Sequence, residues 1–274
     1  MELSSLNIDQ FCSSINLDCD EVAIDLSDIT FFRPFALVYL GLFLRYNNSK
    51  GKSFRVIPPK NSKAANYLTI QKFWERFNIT PDKVRPDFIT LCDNATSLND
   101  IVAIDMAKLP FVDEEISEAI AKVLQNNRVD INIGSFTELV SELVHNFKIH
   151  SGSQCECAAA TMQLYPNMKE IVFAIGDCGC GIRHTLSGNP LYEYLAKEPH
   201  YQSAIKAFEL LVSCRPDGGM GLTDVKDAVL ELNGSVTLTT GDGYVVYSRS
   251  GQWAGSTFYD LPGVQIGFVV PLPK

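Results

Sequence analysis

The sequence predicts an α/β protein built from two domains. Strand-like and helix-like segments alternate over the first hundred residues, and a second group of helices is followed by strands that read as antiparallel. The length of 274 residues also exceeds the usual size of a single domain. Because the stretch 93–100 is polar and rich in turn residues, we expect one domain over residues 1–100 and a second over 101–274.

The first domain is predicted from apolar runs that change their period. Residues 21–26 are typical of a buried strand, and Pro34 is well placed to open a helix whose apolar residues recur at helical spacing to Tyr46. A second strand over 54–57 and a second helix over 64–77 follow. These elements indicate a small α/β domain.

The second domain is predicted to contain four helices and five strands. Ser135 is expected to cap the second of these helices, with Glu138 completing a capping box. The Gly241-Asp-Gly stretch is expected to be a turn between two strands. The helices are expected at 113–126, 135–150, 201–213 and 221–232, and the strands at 157–165, 171–175, 235–240, 244–248 and 264–270.

Charge and hydropathy exclude two classes of function. The chain has 23 basic and 32 acidic residues and a net charge of −9, which argues against a nucleic-acid binder that neutralises phosphates. The longest apolar stretch, 34–44, is too short to span a bilayer. The first residues lack the pattern of a secretory signal, so we expect a cytoplasmic protein without membrane contact.

A first candidate motif lies on the predicted helix 135–150. Glu142 and Asn146 are four residues apart and share one helix face. A carboxylate can orient or deprotonate water, and an amide oxygen is a suitable ligand for Mg²⁺. The pair alone is also common on a solvated helix face.

A second candidate motif follows the predicted strand 171–175. Asp177 stands at the strand end, and Gly179, Gly181 and Ile182 come directly after it. A carboxylate there can accept a hydrogen bond from an amino group, and glycines let the backbone approach a flat ligand.

A third candidate motif is the glycine-rich stretch 217–222. Gly219, Met220, Gly221 and Leu222 lead into the predicted helix 221–232. Backbone N–H groups at the start of a helix form a site for an anion.

Taken in this order and spacing, the three motifs resemble the nucleotide site of the GHKL superfamily of ATPases and kinases. The resemblance implies the Bergerat fold, a two-layer α/β sandwich with a mixed sheet and helices on one face. It implies ATP or ADP as ligand, Mg²⁺ as cofactor, and a mobile ATP lid between Ile182 and Gly218. Lid-mediated dimers occur in this superfamily, so the resemblance also allows a homodimer.

The resemblance assigns a role to each motif residue. Glu142 would activate water, Asn146 would bind Mg²⁺, and Asp177 would accept the hydrogen bond from the adenine amino group. The family's closing strand often begins Gly-Thr, whereas this chain has Gly263-Val264 and lacks that hydroxyl. The remaining nucleotide-binding positions are Gly179, Gly181, Ile182, Arg215, Gly219, Met220, Gly221 and Leu222.

The amino-terminal domain resembles the STAS fold, the module that partners such ATPases in bacterial signalling. The similarity rests on residues 22–32 and the helix after them. The phosphorylated serine of that family is replaced here by Arg33-Pro34-Phe35, so the resemblance implies a scaffold or docking surface.

Four cysteines suggest a competing hypothesis. If residues 157–165 and 171–175 form a hairpin, paired residue numbers sum to about 335, which places Cys157 opposite Cys178 and Cys155 opposite Cys180. Four thiols in that arrangement suit zinc. Buried thiols acting as small apolar side chains are the alternative.

Three functions follow from the sequence. The first is a slow Mg²⁺-dependent ATPase that acts as a nucleotide-controlled signalling switch through a protein partner. The second is a protein-serine kinase of the anti-sigma class. The third is a zinc-binding or interaction module whose nucleotide site has decayed.

Overall fold

The structure is a computed structural model that describes residues 1–77, 79, 101–105, 112–129, 132–150, 158–210, 212 and 221–273. It is an α/β structure, as the alternation of strands and helices predicts. The proposed domain boundary at residue 100 lies outside the described residues. Among the described residues, no helix has both the length and the apolar character needed to cross a membrane.

The amino-terminal region is organised around one apolar helix, α2. Strands β2 and β4 pair in parallel, and α2 connects them, which gives a β-α-β unit. The helix begins at Pro34, as predicted, and twelve of its residues are buried. The elements are β1 (Glu2–Leu3), α1 (Ile8–Ser13), β2 (Glu21–Asp25), β3 (Phe31–Phe32), α2 (Pro34–Ser49), β4 (Ser53–Ile57), α3 (Ser62–Ile70) and α4 (Phe73–Arg76).

The predicted helix 64–77 is two helices. Lys72 has a left-handed backbone with φ of 50°, which ends the first helix before α4 begins. The side chain of Asn61 accepts a hydrogen bond from Ala64 N at 3.0 Å and caps α3.

The carboxyl-terminal region contains a five-stranded sheet in the order β5-β6-β7-β9-β8. Every pairing in its described strands is antiparallel, so the predicted mixed sheet is wrong. Ala159 pairs with Gly176, which confirms the predicted hairpin and its sum of 335. The strands are β5 (Ile101–Asp105), β6 (Ala159–Tyr165), β7 (Glu170–Gly176), β8 (Ser235–Ser248) and β9 (Gly251–Pro271).

The last two strands form one long ribbon, which corrects the prediction of a turn at Gly241-Asp-Gly. Pairing continues past that stretch from Gly243 with Ser256 to Ser248 with Gly251. The register shifts on both sides of Gly241, so the glycines form an irregularity within β8, and the turn lies at 249–250. The closing strand therefore begins at Gly251 and not at 264.

The helices of this region also differ from the prediction at their ends. The helix predicted to begin at Ser135 begins at Ile133, because Asn132 Oδ1 accepts a hydrogen bond from Ser135 N at 3.2 Å and takes the capping role. Two helical segments, at 181–187 and 190–197, lie in a stretch for which no helix was predicted. The helical segments of the whole region are α5 (Val112–Asn126), α6 (Ile133–His150), α7 (Gly181–Ser187), a 3₁₀ helix (Pro190–Lys197), α8 (His200–Ala207) and α9 (Gly221–Glu231).

Both faces of the five-stranded sheet are covered, one by helices of the carboxyl-terminal region and the other by α2 of the amino-terminal region. Ile171, Phe173 and Ile175 of β7 belong to the core formed with α5, α6 and α9. Ala174 belongs to the core of the amino-terminal region, and a Cβ on Gly176 would meet Leu42 of α2 at 2.7 Å. Because side chains alternate along a strand, α2 packs on the face opposite those helices.

Candidate functional site

Asp177 leaves the sheet at the end of β7 and is fixed by its neighbours. Its backbone N–H donates to Val264 O at 2.9 Å, which extends the pairing of β7 with β9. The side chain of Gln265 donates from Nε2 to Asp177 O at 2.9 Å. Only 4% of Asp177 is exposed, so the backbone holds a carboxylate in a buried position.

The environment of this carboxylate is unusual for an ionisable group. Asp177 Oδ1 accepts a hydrogen bond from Gly179 N at 2.6 Å. Burial raises the pKa of Asp177 to about 6, although the Gly179 and Val264 backbone groups act in the opposite direction. No lysine or arginine among the described residues forms an ion pair with it. The carboxylate is thus available as a hydrogen-bond acceptor in a poorly solvated position.

Gly263 allows the backbone to pass close to this group, and Gly181 allows a similar close approach to Thr240. Gly263 has φ of 86°, and a Cβ there would lie 2.5 Å from Asp177 Oδ1 and 2.2 Å from Asp177 O. Gly181 has φ of 75°, and a Cβ there would lie 3.0 Å from Thr240 Oγ1. A side chain is therefore excluded at Gly263, and at Gly181 the positive φ and the close contact disfavour one.

Three buried polar residues complete the site, and sequence reasoning missed all of them. Thr240 Oγ1 accepts a hydrogen bond from Ile182 N at 3.1 Å and donates to Gly263 O at 2.8 Å. Thr239 Oγ1 donates to Gln265 Oε1 at 2.7 Å. The one available signal was a polar residue, Gln265, inside an otherwise apolar closing strand.

The loop after Asp177 contacts both sides of the protein. Cys178 is buried, and its thiol lies 3.6 Å from Leu42 O of α2. Ile182 is buried in the opposite core, with α6 and α9. Cys180 is exposed, with its sulfur 3.5 Å from Thr185 Oγ1. We name residues 177–182 the base loop.

The structure describes the other two motifs in part. Glu142 and Asn146 lie one turn apart in α6, but their side chains are outside the described part of the structure. Gly221 and Leu222 are the first residues of α9, which packs against α6. Arg215, Gly219 and Met220 lie outside the described residues. The described backbone thus places the helices of the first and third motifs side by side.

The zinc hypothesis needs four cysteines, and the structure describes two of them. Cys155 and Cys157 lie outside the described residues. Among the residues that are described, no group of three or more His, Cys, Asp and Glu side chains could hold a metal ion. Cys178 and Cys180 differ in exposure, since the first is buried against α2 and the second is at the surface.

Comparison with known proteins adds no assignment. No family model matches the chain, and no curated protein matches it.

Proposed function

We propose that this protein binds an adenine nucleotide, ATP or ADP, with Asp177 as the acceptor for the amino group of the base. The observation that carries this proposal is the buried Asp177 carboxylate, held at the end of β7 beside Gly263, a glycine of positive φ. A buried carboxylate without a cationic partner costs stability. Such a cost is typical of a binding site, where a ligand supplies the missing donor.

The hydrogen-bond acceptor at this site fits a flat ligand that carries an amino group. Gly263 leaves backbone rather than a side chain next to the carboxylate. One carboxylate oxygen already accepts from Gly179 N, and the carboxyl group still has lone pairs for a second donor. An adenine amino group matches that requirement, whereas guanine presents a carbonyl at the same ring position.

For the rest of the nucleotide, the proposal follows the resemblance to the GHKL superfamily. Asn146 would bind Mg²⁺, Glu142 would position water, and the start of α9 with Gly221 and Leu222 would face the phosphates. When bound, Mg²⁺ would neutralise the negative charge of the phosphates, which a chain of net charge −9 does not compensate by itself. We propose slow hydrolysis of ATP in the cytoplasm, coupled to the binding of a protein partner.

The test is a thermal unfolding experiment with nucleotide and Mg²⁺. ATP and ADP should raise the melting temperature of the wild-type protein, because a ligand that binds only the folded state stabilises it. GTP is the matched control ligand and should give a much smaller shift. Asp177→Asn should abolish the shift with ATP, and Asp20→Asn, at an exposed position, should leave it unchanged.

Two results would contradict the proposal. One is the absence of any shift with ATP and ADP at millimolar concentration. The other is an equal shift for Asp177→Asn and the wild type. A separate assay with labelled ATP distinguishes release of free phosphate, which the proposal expects, from transfer to a STAS-type protein, which would indicate the serine kinase.

A further inference from the structure

The irregular stretch of β8 holds both ends of one segment of the chain. At its start, Thr240 Oγ1 accepts from the N–H of Ile182, the last residue of the base loop. At its end, Asp242 Oδ1 lies 2.6 Å from His200 Nδ1, at the first residue of α8. The two ends of the segment 182–200 therefore both contact β8, at Thr240 and Asp242, which are two residues apart.

The contact with α8 is close enough to require glycine on β8. A Cβ on Gly241 would lie 2.4 Å from His200 Nδ1, and a Cβ on Gly243 would lie 2.3 Å from Tyr201 N. Gly241 also has φ of 57°. The register shifts of β8 thus make room for the start of α8, which explains why glycines occur inside a strand.

The far end of α8 continues this connection to α9. Phe208 O, just after α8, accepts hydrogen bonds from Thr223 Oγ1 at 3.2 Å and from Lys226 Nζ at 3.3 Å. Both donors belong to α9, whose first residues are Gly221 and Leu222. A continuous series of contacts therefore runs from the base loop through β8 and α8 to α9.

We propose that Thr240 and the His200–Asp242 pair are positioning residues for nucleotide binding. They hold the base loop and α8 against β8, so that the base end of the site keeps its binding geometry only while this contact is intact. The inference rests on the proposed function. Thr240 also provides a hydroxyl close to Gly263, in a chain that has Val264 where the related ATPases often have threonine.

The Thr240 contact is tested with a pair of substitutions that differ in the hydroxyl. Thr240→Val removes the acceptor for Ile182 N and leaves buried backbone groups unpaired, whereas Thr240→Ser keeps the hydroxyl. We expect Thr240→Val to weaken ATP binding about tenfold and Thr240→Ser to stay within about threefold of the wild type. Thr237→Val, on the same strand outside the site, is the control and should bind as the wild type does.

Hydrogen exchange measured without nucleotide gives a second readout that a general loss of stability would not reproduce. Thr240→Val should speed amide exchange over residues 181–200 about tenfold, while the amides of β6 and β7 keep their wild-type rates. Asp242→Asn should speed exchange at the start of α8. Uniform acceleration across the sheet would mean a purely structural role and would overturn the proposal.

A double-mutant cycle tests whether the two contacts act together. Because Thr240 and Asp242 flank one glycine, Thr240→Val combined with Asp242→Asn should weaken ATP binding by less than the product of the two single effects. Independent, fully multiplicative effects would overturn the coupling. If the wild type binds ATP and Thr240→Val binds it with the same affinity, this inference alone is refuted. If the wild type does not bind ATP, the proposed function is refuted.

Discussion

The two faces of the five-stranded sheet are built from side chains of different size. The face toward α6 and α9 carries large residues, and Phe173 stacks on Phe268 with ring centroids 5.2 Å apart. The face toward α2 carries small ones, among them Ala174, Gly176 and Gly267. The first face is a core filled by interdigitating side chains, and the second lets one apolar helix lie close to the strands.

This difference shows how the base loop can be held from both sides. The loop begins at the end of β7, where the cores on the two faces of the sheet are both within reach of its residues. Cys178 contacts α2 through Leu42 O, and Ile182 enters the core on the other face. The amino-terminal region therefore reaches the proposed nucleotide site directly, which gives a physical route by which a partner bound there could influence nucleotide binding.

The largest effect is expected on the face with large side chains. Phe268 is 1% exposed and contacts Phe136 and Phe173. Phe268→Ala should lower the free energy of unfolding by about 4 kcal/mol, because removing a buried ring leaves a cavity that a close-packed core fills only in part. Urea denaturation followed by circular dichroism measures this loss, and a value near 1 kcal/mol would show that this core repacks easily.

A smaller loss is expected from filling the face with small residues. At Gly176 a Cβ would lie 2.7 Å from Leu42 Cδ1 and 3.1 Å from Val38 Cγ1, so Gly176→Val should cost about 3 kcal/mol through overpacking. The chain has two tryptophans, Trp74 in α4 and Trp253 in β9. In Gly176→Val proteins that keep only one tryptophan, the fluorescence of Trp74 and that of Trp253 should report the same loss of stability. A shift seen only by Trp253 would contradict close packing of α2 on the sheet.

The smallest effect is expected at Asp177, where the two faces meet, and it should depend on pH. Its folded pKa of about 6 lies above the ordinary value of 3.8, so between pH 3.8 and pH 6 the folded state binds more protons than the unfolded state. The contribution of this group to stability therefore falls as the pH rises through that range. Asp177→Asn should thus add about 2 kcal/mol above pH 7 and almost nothing near pH 4. Urea titrations at both pH values measure the difference, and an Asp177→Asn protein less stable at neutral pH would disprove the burial penalty.

Local sequence signals were sufficient for most of the secondary structure. Pro34 opens α2, and the turn between β6 and β7 sets the register that pairs Ala159 with Gly176. The errors arose where a distant contact decides the local structure. Glycines 241 and 243 were read as a turn, but they are needed because His200 and Tyr201 pack against β8.

The candidate site divides in the same way. Asp177 could be found from sequence, because a carboxylate at a strand end followed by alternating glycines is a local pattern. The roles of Thr240 and Gln265 could not be found, since each is 58 or more residues from its partner in the site, Ile182 or Asp177. Gln265 stands out as a polar residue in an apolar strand, but no periodicity or motif identifies a partner at such a distance.

What the sequence by itself determined is the α/β composition, the helix and strand periods, and the position of a carboxylate at the end of β7. These follow from interactions between residues close in the chain. Tertiary structure alone decided that α2 covers the second face of the sheet, that its strands take the order β5-β6-β7-β9-β8, and that β8 holds the base loop. Those features depend on which apolar surfaces meet and on buried polar groups finding distant partners, so they appear only when the whole chain has packed.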